Sequence, residues 1–367
     1  MDRDVQRVGL MRQLLAAQGY DGVIVRAPAN VLLFSGYLPQ SGDSFCFFKQ
    51  SGEVTLLVPE EEAARAASGW ADDVRIFSRF VDGYLQPASE GALPHLRELL
   101  GRYDRFSKLG YEHGPLPFAA YGPDLGLPDG GSGDVLKAAG PNATWYDCSD
   151  LTEAGALWKT ARELSRLRRA GEVAVTGLTA AREITAPGVP PAVIAGAALG
   201  AMAAAAAAGE EVVPFCRVAE GPEGAAIVRI RVAVDGFWAA ATRVFCPSAP
   251  SAALTDQIAL LEAARAAAIA AIQNGVLGSE VDAAARAVFA HAEAAAVRWT
   301  GHGVGFHADS PLARPMLSPG SIDAVRPNMA FTIAPGFLNS LLIEDSMAFT
   351  SRGVEVLTDF PTASTSA

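Results

Sequence analysis

Apolar residues recur at helical spacing from Val5 to Gln18, and Gly19 ends the pattern, which predicts an amphipathic helix. Gly22-Val23-Ile24-Val25 and Val31-Leu32-Leu33-Phe34 are short continuous apolar runs and predict buried strands. Phe45 to Phe48 and Val54 to Val58 flank Gln50-Ser51-Gly52, the pattern of a β-hairpin. A helix is expected from Glu60 to Ala67 behind Pro59, then a Gly- and Pro-rich loop from Gly122 to Gly133, and a last strand at Trp145-Tyr146-Asp147. This alternation predicts a small α/β domain.

The texture changes near Leu157. Lys159 to Ala186 is a long charged amphipathic stretch stopped by Pro187-Gly188, and an uncharged Ala-rich run follows from Ala192 to Ala208. Strands are expected between Ile227 and Phe245, and a helix from Asp256 to Gln273 ended by Asn274-Gly275. Ser279 is placed to cap a further helix reaching about Ala296. Three short apolar runs, Ala330 to Ile333, Ser340 to Ile343 and Met347 to Thr350, close the chain as two helix-plus-strand halves.

Composition narrows the function classes. With 367 residues, two domains are expected, and 50% hydrophobic against 19% charged residues supplies ordinary cores. A net charge of −11 argues against nucleic acid or an anionic membrane as the partner, though a local basic site remains compatible with it. The Ala-rich run is bounded by Pro190-Pro191 and Gly209-Glu210-Glu211 and is too weakly hydrophobic to span a membrane. Cys46, Cys148, Cys216 and Cys246 form no C-x-x-C pair and are expected as reduced thiols in a cytoplasmic chain; the N-terminus has no apolar signal-peptide core.

The strongest local motif is Gly301-His302-Gly303-Val304-Gly305, in which flanking glycines let the backbone approach closely around one imidazole. It stands in series with Leu157-Trp158-Lys159 and Glu163-Leu164, with Asp235-Gly236-Phe237-Trp238 running to Thr242-Arg243, with Met329 to Gly336, and with Ile343-Glu344-Asp345. In order and spacing these segments resemble the creatinase/prolidase/Xaa-Pro aminopeptidase family, and Asn30 to Gly36 resembles a segment of its accessory domain. The resemblance implies an α+β chain: a creatinase-like α/β domain over residues 1–154, then a pita-bread (aminopeptidase) domain over residues 155–367. By family habit it also implies a homodimer.

Working metallopeptidases of that family hold two divalent metals with two Asp, one His and two Glu. The resemblance assigns those positions here to Arg229, Ala240, His302, Ala334 and Glu344, so two of five ligands remain. One His and one Glu cannot screen two adjacent dications, and no resident metal or other cofactor is expected. The family's second histidine falls on Asp309, with His307 two residues earlier, and its first has no match between Phe215 and Gly224.

Two functions compete. One is a metal-independent, creatinase-like hydrolase that cleaves a C–N bond of a small molecule by acid–base chemistry. His302, Glu344, Asp345 and His307 are its catalytic candidates; Arg229, Arg231, Arg243 and Asp309 are its substrate-binding candidates. The other is a pseudoenzyme, a pita-bread binding or scaffold protein whose apolar site wall includes Ala239-Ala240-Ala241 and Ala334. A residual metallopeptidase ranks third.

Overall fold

The computed structural model describes residues 2–40, 43–112, 132–290, 296–297, 299–306, 313–338, 340–361 and 363–365. The chain divides into two compact units, Met1–Ala156 and Leu157–Ala367.

The first unit contains α1 (Val5–Gln18), β1 (Gly22–Val25), α2 (Pro28–Ser35), β2 (Phe45–Lys49), β3 (Val54–Pro59), α3 (Ala63–Ala66), β4 (Asp73–Phe77), a short hairpin of β5 (Phe80–Val81) and β6 (Tyr84–Leu85), α4 (Ala88–Leu100), β7 (Lys108–Tyr111), α5 (Ser132–Ala139), β8 (Thr144–Asp147) and α6 (Ser149–Leu157). Its six-stranded mixed sheet runs β4-β3-β2-β1-β7-β8. Leu96, Leu100 and Leu136 from α4 and α5 pack against Phe45, Phe47, Leu57 and Leu109 on it.

Helix α1 has the expected bounds. Asp4 accepts from the Arg7 N–H at its start, and Gly19 ends it in the left-handed region at φ 71°. The hairpin of β2 and β3 also forms as expected. Val31-Leu32-Leu33-Phe34 does not form a strand. It lies inside α2, which begins on Pro28 and ends on Gly36 at φ 67°. All four side chains are buried, and a fully buried apolar run of this length has no period to separate helix from strand; the flanking Pro and Gly decide it. Glu60 to Ala67 is a 3₁₀ turn (Glu60–Glu62) followed by α3. Of the expected loop from Gly122 to Gly133, all but its last two residues lie outside the described residues; from Ser132 the chain is α5.

The second unit contains α7 (Ala161–Ile184), α8 (Pro191–Ala204), β9 (Val212–Glu220), β10 (Ala226–Val234), β11 (Phe237–Cys246), α9 (Ala252–Ala271), α10 (Gly278–Val288), β12 (Met329–Ile333), β13 (Glu344–Thr350), β14 (Gly353–Val356) and β15 (Ala363–Thr365). The sheet runs β12-β13-β11-β10-β9, with β14 on β13 and β15 on β11. Asp235 and Gly236 both take positive φ (49° and 86°) and turn β10 into β11 as a two-residue hairpin. The two halves of the sheet meet through only two residue pairs, Ala241 with Asp345 and Thr242 with Glu344.

Helices α7 and α8 cover one face of β9–β11, burying Val228, Ile230, Val232, Ala239 and Ala241. The α8 run forms a helix that packs Ile194, Ala198 and Met202 onto the core and leaves most of its other residues at least partly exposed, and among the described residues no helix is long and apolar enough to cross a membrane. Helix α9 starts earlier than expected because the Ser251 hydroxyl accepts from Leu254 N–H and caps it. Ser279 is not a cap. It lies inside α10, whose first turn is held by Glu280 accepting from Leu277 N–H, and the helix ends at Val288. Ser340 to Ile343 forms only an isolated bridge from Leu342 to Gly336 rather than a strand.

Candidate functional site

Side chains directly opposite each other in an antiparallel sheet share a face, and neighbours along a strand alternate. The register therefore sorts the second unit's candidates. Arg217 on β9 stands opposite Arg229 on β10, Arg229 opposite Thr242 on β11, and Thr242 opposite Glu344 on β13. One step along the same face, Phe215 stands opposite Arg231 and Arg231 opposite Ala240. This is the face turned away from α7 and α8.

Arg231, rather than Arg229, engages the surviving carboxylate. Its Nη1 lies 2.9 Å from Glu344 Oε2 and its Nη2 donates to Oε1 at 3.2 Å. The Thr242 hydroxyl donates to Oε2 at 2.9 Å. The Glu344 side chain is 2% exposed and that of Arg231 17%, so this is a largely desolvated, two-point ion pair. Arg229 is exposed, and among the described residues neither it nor Arg217 has a hydrogen-bond or ion-pair partner.

Asp345 and Arg243, two candidates of the expected site, do not share the face of Glu344. They alternate onto the opposite, helix-covered face, where both are fully buried. Asp345 accepts from Arg243 Nη2 at 2.5 Å, Arg265 Nε at 2.6 Å and Thr358 Oγ1 at 2.8 Å. Arg243 spends its remaining donors on the carbonyls of Thr242, Glu344, Thr358 and Phe360. All five Arg243 N–H donors and both Asp345 oxygens are used internally, so the pair clamps β11 to β13 and to the segment around Thr358 and Phe360.

His302 is buried at 4% exposure. Its carbonyl accepts from Thr332 N–H at 2.7 Å, which sets it beside β12. Gly303 bridges Phe331 on β12, whose other edge pairs with β13. Glu344 turns its oxygens to Arg231 and Thr242. The His302 Nδ1 is 3.0 Å from the Gly303 carbonyl, which only accepts, so Nδ1 is the donor in this contact.

The glycines around His302 have a packing reason. A Cβ on Gly301 would sit 1.9 Å from the Thr332 carbonyl oxygen, and one on Gly303 1.9 Å from that of Arg314. Glu163 likewise serves a capping box: it accepts from Thr160 N–H at 2.9 Å while Thr160 Oγ1 accepts from Glu163 N–H. Lys159 is buried with its ammonium 5.5 Å from the centre of the Phe306 ring.

Ala240 and Ala334 are buried and offer no side-chain donor atom. Among the described residues, no group of three or more His, Cys, Asp and Glu is arranged to hold a metal ion. His307 and Asp309 lie outside the described residues. Two side chains that motif reading overlooked belong to this face. Arg217 announces itself only through the register of β9, a strand that the sequence pattern did not reveal. Phe215 packs on Trp238 with ring centroids 5.8 Å apart.

Comparison with known proteins agrees with this architecture. Residues 7–154 match the Creatinase/Prolidase N-terminal domain and residues 221–351 match Metallopeptidase family M24. A stretch of 132 residues is 33% identical to a probable dipeptidase PepE of Mycobacterium tuberculosis, covering 34% of this chain and 34% of that protein's length. The crystal structure of the prolidase from Pyrococcus horikoshii OT3 superposes with a TM-score of 0.76 at 21% identity, over 97% of this chain and 99% of that one. The N-terminal domain of FACT complex subunit SPT16 from Cicer arietinum superposes at 0.68 and 13% identity, over 98% of each chain. At these identities the superpositions speak for the fold alone. With both characteristic domains in order on this fold, the chain belongs to the creatinase/prolidase-type, pita-bread family.

Proposed function

We propose that this prolidase-like chain does not work as a two-metal peptidase and that its M24 domain instead offers a metal-free site for a small molecule. The observation that carries the reading is the Arg231–Glu344 pair. A guanidinium fills the coordination space of the one family carboxylate that remains, while Ala240 and Ala334 supply nothing and Arg229 adds a positive charge at the position of another. Dications held close together need bridging carboxylates, and the described donor set does not fit them. No step of the chemistry is therefore routed through a metal.

The binding-module reading is favoured because the survivors have structural reasons to persist. Glu344 is neutralised by Arg231, Asp345 by Arg243 and Arg265, and the glycines around His302 by close backbone packing. The second reading, a metal-independent C–N hydrolase, draws on His302, whose Nδ1 is held on the Gly303 carbonyl and whose other ring nitrogen, Nε2, is the one left to exchange a proton with a ligand.

Dipeptides of the Xaa-Pro type separate these readings from a peptidase. Purified full-length protein incubated with Gly-Pro, with and without added Mn²⁺, is expected to release no free proline. Mn²⁺-stimulated release would sink the proposal. Loss of ligand turnover in His302→Ala, with ligand binding kept, would favour the hydrolase over the binding module.

A further inference from the structure

The geometry points to an organic-anion site built by Arg217 and Arg229 beside the exposed Phe215 ring. The inference rests on the metal-free reading and specifies the ligand class for that face.

Arg217 and Arg229 are directly opposite each other on adjacent antiparallel strands, both exposed. Like charges in that arrangement repel, and a sheet built for stability alone avoids them. Among the described residues neither arginine has an acidic side chain paired with it, and the carboxylate on the same cross-strand row, Glu344, is taken by Arg231 and Thr242. Among the described strand residues, Arg217, Arg229 and Arg231 thus share one face with one engaged carboxylate, Glu344, in a chain whose overall charge is −11. Cation density of this kind in an acidic protein draws an anion to that place and repels it elsewhere.

The chemistry of the ligand follows from the neighbours. Paired guanidinium groups present planar forks that match a carboxylate or phosphate, two hydrogen bonds at a time. Phe215, opposite Arg231 and 48% exposed, stacks on buried Trp238 at an interplanar angle of 31°. A braced ring at the edge of a cationic patch offers an apolar wall. The site therefore fits a small molecule with an oxyanion at one end and a flat or apolar body at the other. Global charge and the single small patch do not suit a polyanion such as nucleic acid.

The test uses phenylacetate, its neutral isostere phenylacetamide, and inorganic phosphate, with binding read by calorimetry and by the shift in melting temperature of the full chain. Phenylacetate is expected to bind and raise the melting temperature, phenylacetamide to do neither, and phosphate to bind more weakly than phenylacetate. Arg217→Gln and Arg229→Gln each remove a charge-assisted contact and should weaken phenylacetate binding by roughly ten-fold or more. Without ligand, both variants should melt higher than the natural chain, because the opposed charges are gone. That gain separates a binding role from a structural one. Unchanged affinity in both variants, ligand-free variants that melt lower, or phosphate binding while phenylacetate does not would each overturn the assignment. If the chain is also found to lack two bound metals, such a failure removes this site and leaves the metal-free reading intact.

Discussion

Replacing Arg231 by Met tests whether its pair with Glu344 is an integral part of the fold. The substitution keeps the aliphatic stem and removes the guanidinium, leaving a carboxylate 2% exposed with only the Thr242 hydroxyl to satisfy it. Breaking a buried pair typically costs 3–5 kcal/mol, and because the Arg231 side chain is 17% exposed the expected loss is lower, about 2–4 kcal/mol. For a unit of this size that corresponds to a fall in melting temperature on the order of 5–15 °C. The double variant Arg231→Met/Glu344→Met, which has no orphaned charge, should recover most of the loss. Urea denaturation of the four proteins of the cycle measures the coupling. If Arg231→Met alone changes stability by less than about 0.5 kcal/mol, the pair is an ordinary solvated contact and the reasoning fails.

Two further outcomes follow from the structure. Burial raises the thiols of Cys46, Cys148 and Cys246 above their ordinary range and pushes Cys216 up to about 11, so none should react rapidly with a disulfide reagent at pH 8 in the native chain; fast modification of two or more would contradict the packing. The family's assembly habit leads us to expect a homodimer, and light scattering should report about twice the 38.2 kDa chain mass rather than a clean monomer.

The elements that sequence patterns announced well are those with local punctuation. Asp4 and Gly19 bound α1, and Asp235-Gly236 turns the central hairpin of the second unit. The pattern failed at Val31 to Phe34, where burial on all sides erased the periodicity, and at β9, where Pro214 and alternating exposed side chains obscured a sheet-edge strand. The same limit applies to the site. The family resemblance assigned His302, Ala334, Glu344 and Ala240 to the family's ligand positions. It could not tell that Arg231 would hold Glu344 while Arg229 stayed exposed, because that depends on the registers of β10 and β11 and of β11 and β13. The expected apolar runs, Ser340 to Ile343 and Met347 to Thr350, left Glu344 and Asp345 between them, so the strand alternation that sends the two to opposite faces was not legible.

The central claim is that an internal guanidinium–carboxylate pair stands where its relatives' metals would be held. Metal content and titration address it most directly. Full-length protein purified without chelators is analysed for transition metals, then titrated with Mn²⁺, Co²⁺ and Zn²⁺ by calorimetry. The account predicts far less than one metal per chain and no saturable two-site binding in the micromolar range. Two metal ions bound per chain at micromolar affinity would contradict it.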